Sequence, residues 1–228
     1  MRIIFVRHGH PDYKKDCLTE LGHTHAEAAA ERLAEEKPTA IYASTCGRAY
    51  ETAEHIAAYH DDMPIVKCEF MREIKWGSTT DEPIPRNGNP WFVADDKVAA
   101  GQSVRNSDWE TEEPYSQSKV VSSNKTVSEG FDELLSTLGY RREGDYYRVE
   151  RENPDTVFMV SHGGSSSAVL SHLLNLPFPQ VCATVRPDFT AIHILKLSGA
   201  VGSLITPQIE LLNDARHIQA KDEATFDN

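Results

Sequence analysis

The sequence predicts an α/β sandwich with a mostly parallel central sheet, and three observations carry that prediction. Short apolar runs recur at 2–6, 40–44 and 156–161 (RIIFV, AIYAS, TVFMVS). Helix-forming segments lie between and after them at 19–36, 47–60, 126–138 and 163–175. The first and third runs are continuously apolar over Ile3–Val6 and Val157–Val160 rather than alternating, as expected of strands covered on both faces.

Taken in order, residues 2–6 form a short buried strand. The alanine-rich TELGHTHAEAAAERLAEE at 19–36 forms a helix, with Leu21, Ala28 and Leu33 on its buried side. A second strand follows at 40–44 and a second helix at 47–60, ended before Pro64. IVKC at 65–68 suits an edge strand. Residues 77–126 then change character. They are rich in Pro, Gly, Asn, Ser and Asp, show no sustained period, and are expected to form an irregular insertion or lid within one domain spanning 1–228. Helix resumes at 126–138, with Thr126 or Ser128 as its N-cap. A hairpin is expected around Glu143-Gly144-Asp145, then a buried strand at 156–161 and a helix at 163–175. AIHILKL at 191–197 alternates, and SLITPQIELLN after it pairs with it or extends the sheet. The last dozen residues are polar and expected to be loosely held.

The 228 residues suffice for one large domain with a sizeable core. A formal charge of −12 argues against nucleic-acid backbones and anionic membranes as partners. Four widely spaced cysteines (Cys17, Cys46, Cys68, Cys182) form no CxxC pair. With no signal peptide before the first strand and no apolar run near the roughly 20 residues that span a bilayer, a cytoplasmic protein with reduced thiols is expected.

Two strand ends rhyme. The first strand stops at Arg7-His8-Gly9 and the strand at 156–161 stops at His162-Gly163. In open α/β sheets, ligands bind beyond the carboxyl ends of strands. The glycines are expected to let the backbone turn tightly and approach a ligand. Gly163 opens a helix whose first N–H groups favour an anion, and joins the phosphate-binding set on that ground. The strand at 40–44 delivers Arg48 near the start of the next helix. Two arginines, two histidines and a helix N-terminus make a phosphate cradle, since guanidinium matches phosphate oxygens bidentately.

The segments VRHGHPDY, LTELGHTHAEAAAERL, IYASTCGRAYETAEHIA, REIKWG and VSHGG, in this order, resemble the histidine phosphatase superfamily in its phosphoglycerate-mutase-like branch. The likeness spans most of the chain apart from 77–126, the 140–150 hairpin and the tail. It implies that His8 is the nucleophile that becomes a phosphohistidine, and that Arg7, Arg48 and His162 complete the phosphate pocket and neutralise its oxygens. His162 counts with His8 among the catalytic residues. Glu73 is implied as proton donor to the leaving oxygen. Neither metal nor cofactor is implied. The expected reaction is hydrolysis of a small phosphorylated metabolite, releasing inorganic phosphate.

Pro11 replaces the small polar residue that many relatives carry three positions after the nucleophile, and Lys14 and His25 stand where many have Asn or Gln. These departures bear on substrate choice rather than chemistry. The short IKWG after Glu73 favours a phosphatase over a phosphoglycerate mutase using the same site; a catalytically silent phosphate-binding module is the rival from another class. A metal on His8, His10 and His162 is opposed by the two arginines beside it. His23 and His25, two apart on a helix, cannot share a face. HGGSSSA superficially matches a serine hydrolase with Ser166 as nucleophile, but that gives Arg7-His8 no task. No cysteine opens an HCx5R loop.

Overall fold

The computed structural model describes residues 1–218; the polar tail expected to be loosely held lies largely outside them. The strands are β1 (Arg2–Arg7), β2 (Pro11–Asp12), β3 (Cys17–Leu18), β4 (Ala40–Ser44), β5 (Ile65–Cys68), β6 (Tyr140–Glu143), β7 (Tyr146–Val149), β8 (Thr156–Ser161), β9 (Ile192–Lys196), β10 (Leu204–Ile205) and β11 (Gln208–Asp214). The helices are α1 (Glu20–Leu33), α2 (Gly47–Ala58), α3 (Pro90–Ala99), α4 (Val120–Thr137), α5 (Gly163–Leu174) and α6 (Phe178–Thr184). The central sheet runs β11-β9-β1-β8-β4-β5. The pairs β1–β8, β8–β4 and β4–β5 are parallel; β9 runs antiparallel to both β1 and β11. The fold is therefore the expected α/β sandwich, and β5 is the expected edge.

Both faces of the sheet are covered, which accounts for its unbroken apolar strands. Ile4, Val6, Phe158 and Val160 face a layer with Ala29, Ala30, Leu33 and Ile56 from α1 and α2. Ile3, Phe5, Val157 and Met159 face the other way, onto Phe131, Leu135, Val169, Leu173 and Phe178 of α4, α5 and α6. The register Arg7↔Ser161 brings the ends of β1 and β8 level, and β4 lies alongside β8. Three strand ends thus meet at one edge. No helix among the described residues is long and apolar enough to cross a membrane.

Several expectations need correction. The buried face of α1 is Gly22, His25, Ala26, Ala29, Ala30 and Leu33, whereas Leu21 is 45% exposed. The true stripe follows the small residues, which let α1 lie close to its neighbours. Helix α4 begins at Val120, so Thr126 and Ser128 are interior to it and cap nothing. Thr126 Oγ1 donates to the Ser122 carbonyl at 3.0 Å, a back-bond that lets a polar residue sit inside a helix. Helix α6 was not expected. Segment 77–126 is more ordered than its composition suggests. It holds α3, capped by the Asn89 side chain, and buries Trp91, Trp109 and Tyr115 in the same core as Phe131 and Phe178. Aromatic mass stands in for the periodic aliphatics that the sequence lacks there. The expected hairpin is present as β6–β7, extended by β10.

Gly9 and Gly22 face each other backbone to backbone. A Cβ on Gly9 would overlap the Gly22 carbonyl oxygen, and one on Gly22 would overlap the His10 carbonyl oxygen. The glycine after His8 thus serves a close approach to α1, rather than a turn toward a ligand. Gly22→Ala is expected to destabilise the fold by about 1–3 kcal/mol, the usual range for overpacking. Urea unfolding measures this; an unchanged midpoint would show that the loop after β1 yields freely.

Candidate active site

The edge where β1, β8 and β4 end gathers His8, His162, Arg7, Arg48 and Glu73. His8 follows β1 and is 1% exposed. Its Nδ1 lies 2.7 Å from the Gly9 carbonyl oxygen, an acceptor, so the proton belongs on Nδ1 and the Nε2 lone pair is free to act. Arg48 Nε donates to that Nε2 at 3.3 Å. Gly9 N donates to Thr52 Oγ1 at 3.1 Å, fixing the loop that carries the ring. Burial, reinforced by the charges of Arg7 and Arg48, holds His8 well below the ordinary histidine pKa, so the ring is neutral near pH 7.

His162 is the N-cap residue of α5 and is wholly buried, its ring centroid 5.1 Å from that of His8. Its Nε2 lies 2.8 Å from Ser44 Oγ, at the end of β4. Ser44 Oγ also accepts from Cys46 N at 3.2 Å, which fixes this hydroxyl beside the imidazole. The His162 Nδ1 is buried and has no hydrogen-bond partner among the described residues. Burial first, then the neighbouring charged groups, pushes His162 well below the ordinary value.

The two arginines are held differently. Arg7 Nη1 donates to the Pro187 carbonyl at 2.6 Å, and its guanidinium lies 4.3 Å from the Phe189 ring centroid; its buried Nε has no partner among the described residues. Arg48, in the first turn of α2, forms an ion pair through Nη1 with Asp16 and lies under the Tyr13 ring. Asp16 also accepts from Gly47 N at 2.9 Å, and a Cβ on Gly47 would overlap the Asp16 carbonyl oxygen. The loop between β2 and β3 thus clamps the start of α2.

The N-terminus of α5 is only partly open to an external anion, because its Gly164 and Ser165 N–H groups are already taken. Glu73 occupies part of it: Oε1 accepts from Ile74 N (2.9 Å) and Ser165 N (3.2 Å), and Oε2 from Gly164 N (3.3 Å). A Cβ on Gly164 would overlap Glu73 Oε1, so this glycine makes room for the carboxyl group. The backbone donors and the two arginines favour the anion. Burial opposes them and prevails, raising the Glu73 pKa. A carboxyl group whose pKa is raised, beside two histidines and two arginines, is suited to act as an acid.

Other motifs resolve into packing. Ser166 Oγ of α5 bonds Ser161 Oγ at the end of β8, at 2.9 Å. His10 Nδ1 bonds Thr19 Oγ1 at 2.9 Å, and His23 pairs with His55 across α1 and α2. No three His, Cys, Asp or Glu side chains among the described residues are grouped to hold a metal ion. Sequence reading missed Ser44, Asp16, Thr52 and Phe189. Ser44 carried a signal, as the last residue of a strand expected beside the others; Asp16 and Phe189 reach the site through loops and carried none.

The family model for the histidine phosphatase superfamily (branch 1) matches residues 3–207. Among solved structures, the chain is similar to a mycobacterial hydrolase (TM-score 0.64, 24% identity, covering 93% of this chain and 98% of that one). It is also similar to a mycobacterial glucosyl-3-phosphoglycerate phosphatase complexed with VO3 (TM-score 0.62, 22% identity, 93% and 98% covered). A mutant phosphoserine phosphatase from Entamoeba histolytica in complex with phosphoserine is a further match (TM-score 0.61, 20% identity, 95% and 98% covered). No match was found among curated protein sequences.

Proposed function

The chain belongs to the histidine phosphatase superfamily, and from that premise we propose that it hydrolyses small phosphomonoesters through a phosphohistidine on His8. The observation that carries this reading is the His8 ring itself. Its Nδ1–H is tied to the Gly9 carbonyl, and its Nε2 points to Arg48 in a pocket shared with Arg7, His162 and Glu73.

In the first step His8 Nε2 attacks phosphorus and the ester P–O bond breaks. Glu73 gives its proton to the departing oxygen, which leaves as an alcohol. Arg7 Nε, Arg48 and His162 Nδ1–H donate to the phosphoryl oxygens, where charge must be stabilised. In the second step water attacks phosphorus, the Glu73 carboxylate takes its proton, and the P–N bond breaks to release inorganic phosphate and neutral His8. The Gly163 N–H at the start of α5 is a further donor for a phosphoryl oxygen.

Two arginines already supply the positive charge, so turnover of an aryl phosphate is expected to be the same with and without EDTA. An acid-labile phosphoenzyme should accumulate on rapid quenching. Activity lost on chelation and restored by zinc or magnesium would replace this mechanism with a metal-assisted one.

A further inference from the structure

One indole lies against the phosphate pocket. A Cβ placed on Gly163 would sit 3.6 Å from Arg7 Nε and 3.9 Å from Trp91 Cζ2, so only a glycine separates guanidinium from indole. Cζ2 and Nε1 are bonded to the same ring carbon, so the edge facing Gly163 is the edge that carries the N–H. Trp91 is 8% exposed, and its Nε1 is buried without a hydrogen-bond partner among the described residues. Arg7 Nε and His162 Nδ1, the donors assigned to phosphoryl oxygens, are in the same condition. Buried indole N–H groups ordinarily find an acceptor.

The ring is held firmly. Asn89 Oδ1 accepts from Trp91 N at 3.1 Å and Phe92 N at 3.3 Å, fixing the start of α3. Trp76 meets Trp91 edge to face, with centroids 5.9 Å apart. An ion pair between Asp95 and Arg186 ties α3 to the chain that leads to Phe189.

We propose that Trp91 Nε1–H is a substrate-recognition donor that donates to an oxygen of the organic part of the phosphomonoester. The site then selects alcohols that carry a further hydroxyl close to the ester oxygen over hydrocarbon alcohols of the same size. A hydroxyl suits it better than a carboxylate: residues 77–126 carry eight acidic side chains against five basic ones, and Glu73 is adjacent. This inference rests on the phosphate-pocket reading above, but it concerns binding and is separable from catalysis.

The test uses the His8→Ala chain, in which bound esters stay intact, and compares it with His8→Ala/Trp91→Phe. Glycerol 3-phosphate and n-propyl phosphate, which share an alkyl leaving group and differ by two hydroxyls, are titrated by calorimetry. His8→Ala should bind glycerol 3-phosphate more tightly. Trp91→Phe keeps an aromatic ring and removes the N–H, and should weaken glycerol 3-phosphate about tenfold more than propyl phosphate, the usual scale of one hydrogen bond. On His8→Ala alone, one of the three indole N–H signals in a ¹⁵N-labelled sample should move with glycerol 3-phosphate and stay with propyl phosphate. Equal affinity for the two esters overturns the proposal, as does a preference that survives Trp91→Phe with no indole signal moving. If neither ester binds, the phosphate-pocket reading itself is overturned, and the role of Trp91 with it.

Discussion

Replacing His8 with alanine is expected to lower turnover of every phosphomonoester by a factor on the order of 10⁴ or more, the scale on which loss of a nucleophile is felt. The acid-labile phosphoenzyme should vanish with it. The size of the effect follows from the absence of a substitute: His162, the neighbouring imidazole, is tied through Nε2 to Ser44, and the reaction proposed above uses its Nδ1 as a donor. Vanadate binding should persist, because Arg7 and Arg48 remain, and this separates loss of chemistry from loss of the pocket. The pH profile of the unmodified chain carries a second signature. Attack needs the neutral ring, and His8 titrates well below the ordinary histidine value, so kcat should not fall where a free histidine would gain its proton. Near-normal turnover by His8→Ala would sink the mechanism.

Much of this site was legible in the sequence because its residues sit at the ends of regular elements. Arg7 and His8 end one apolar run and His162 ends another; parallel pairing then does the rest, since level strand ends put both histidines on one edge. Arg48 was readable for the same reason, as the second residue of the helix that follows a third strand. What could not be read depended on loops folding back. Asp16 adopts a left-handed backbone conformation to reach Arg48, and Phe189 slides beneath Arg7 from beyond α6. Glu73 was identified by resemblance, yet its place on the α5 N-terminus was not foreseen. The sequence reading gave all those N–H groups to the substrate, and only the fold brings a carboxyl group from elsewhere in the chain to claim those of Gly164 and Ser165. In the same way the buried face of α1 is a stripe of glycine and alanine, which hydrophobicity ranks below the exposed Leu21.

Glu73→Gln is expected to slow hydrolysis of alkyl phosphates by about 10²–10⁴-fold, the usual worth of general acid catalysis, and to affect aryl phosphates far less. An alkoxide leaves badly without a proton, whereas a phenolate leaves with little help. The carboxyl group is placed for the task by three backbone N–H groups, and burial raises its pKa. The sign of the pH effect follows. The acid form is the active one in the first step, and its pKa is raised, so alkyl phosphate turnover should hold past the ordinary carboxylate range and decline as pH climbs through the raised value. In Glu73→Gln that decline should disappear, because the amide does not titrate. The substitution also has a structural cost, since the amide nitrogen cannot accept from the backbone donors that now converge on both carboxyl oxygens. Such a mismatch would depress both substrate classes alike and lower the thermal midpoint. The ratio of alkyl to aryl rates, measured beside the pH profile, therefore isolates proton donation from damage to the start of α5. Equal losses for the two classes, with the basic limb unchanged, would remove Glu73 as the proton donor and leave it as the group that caps this helix.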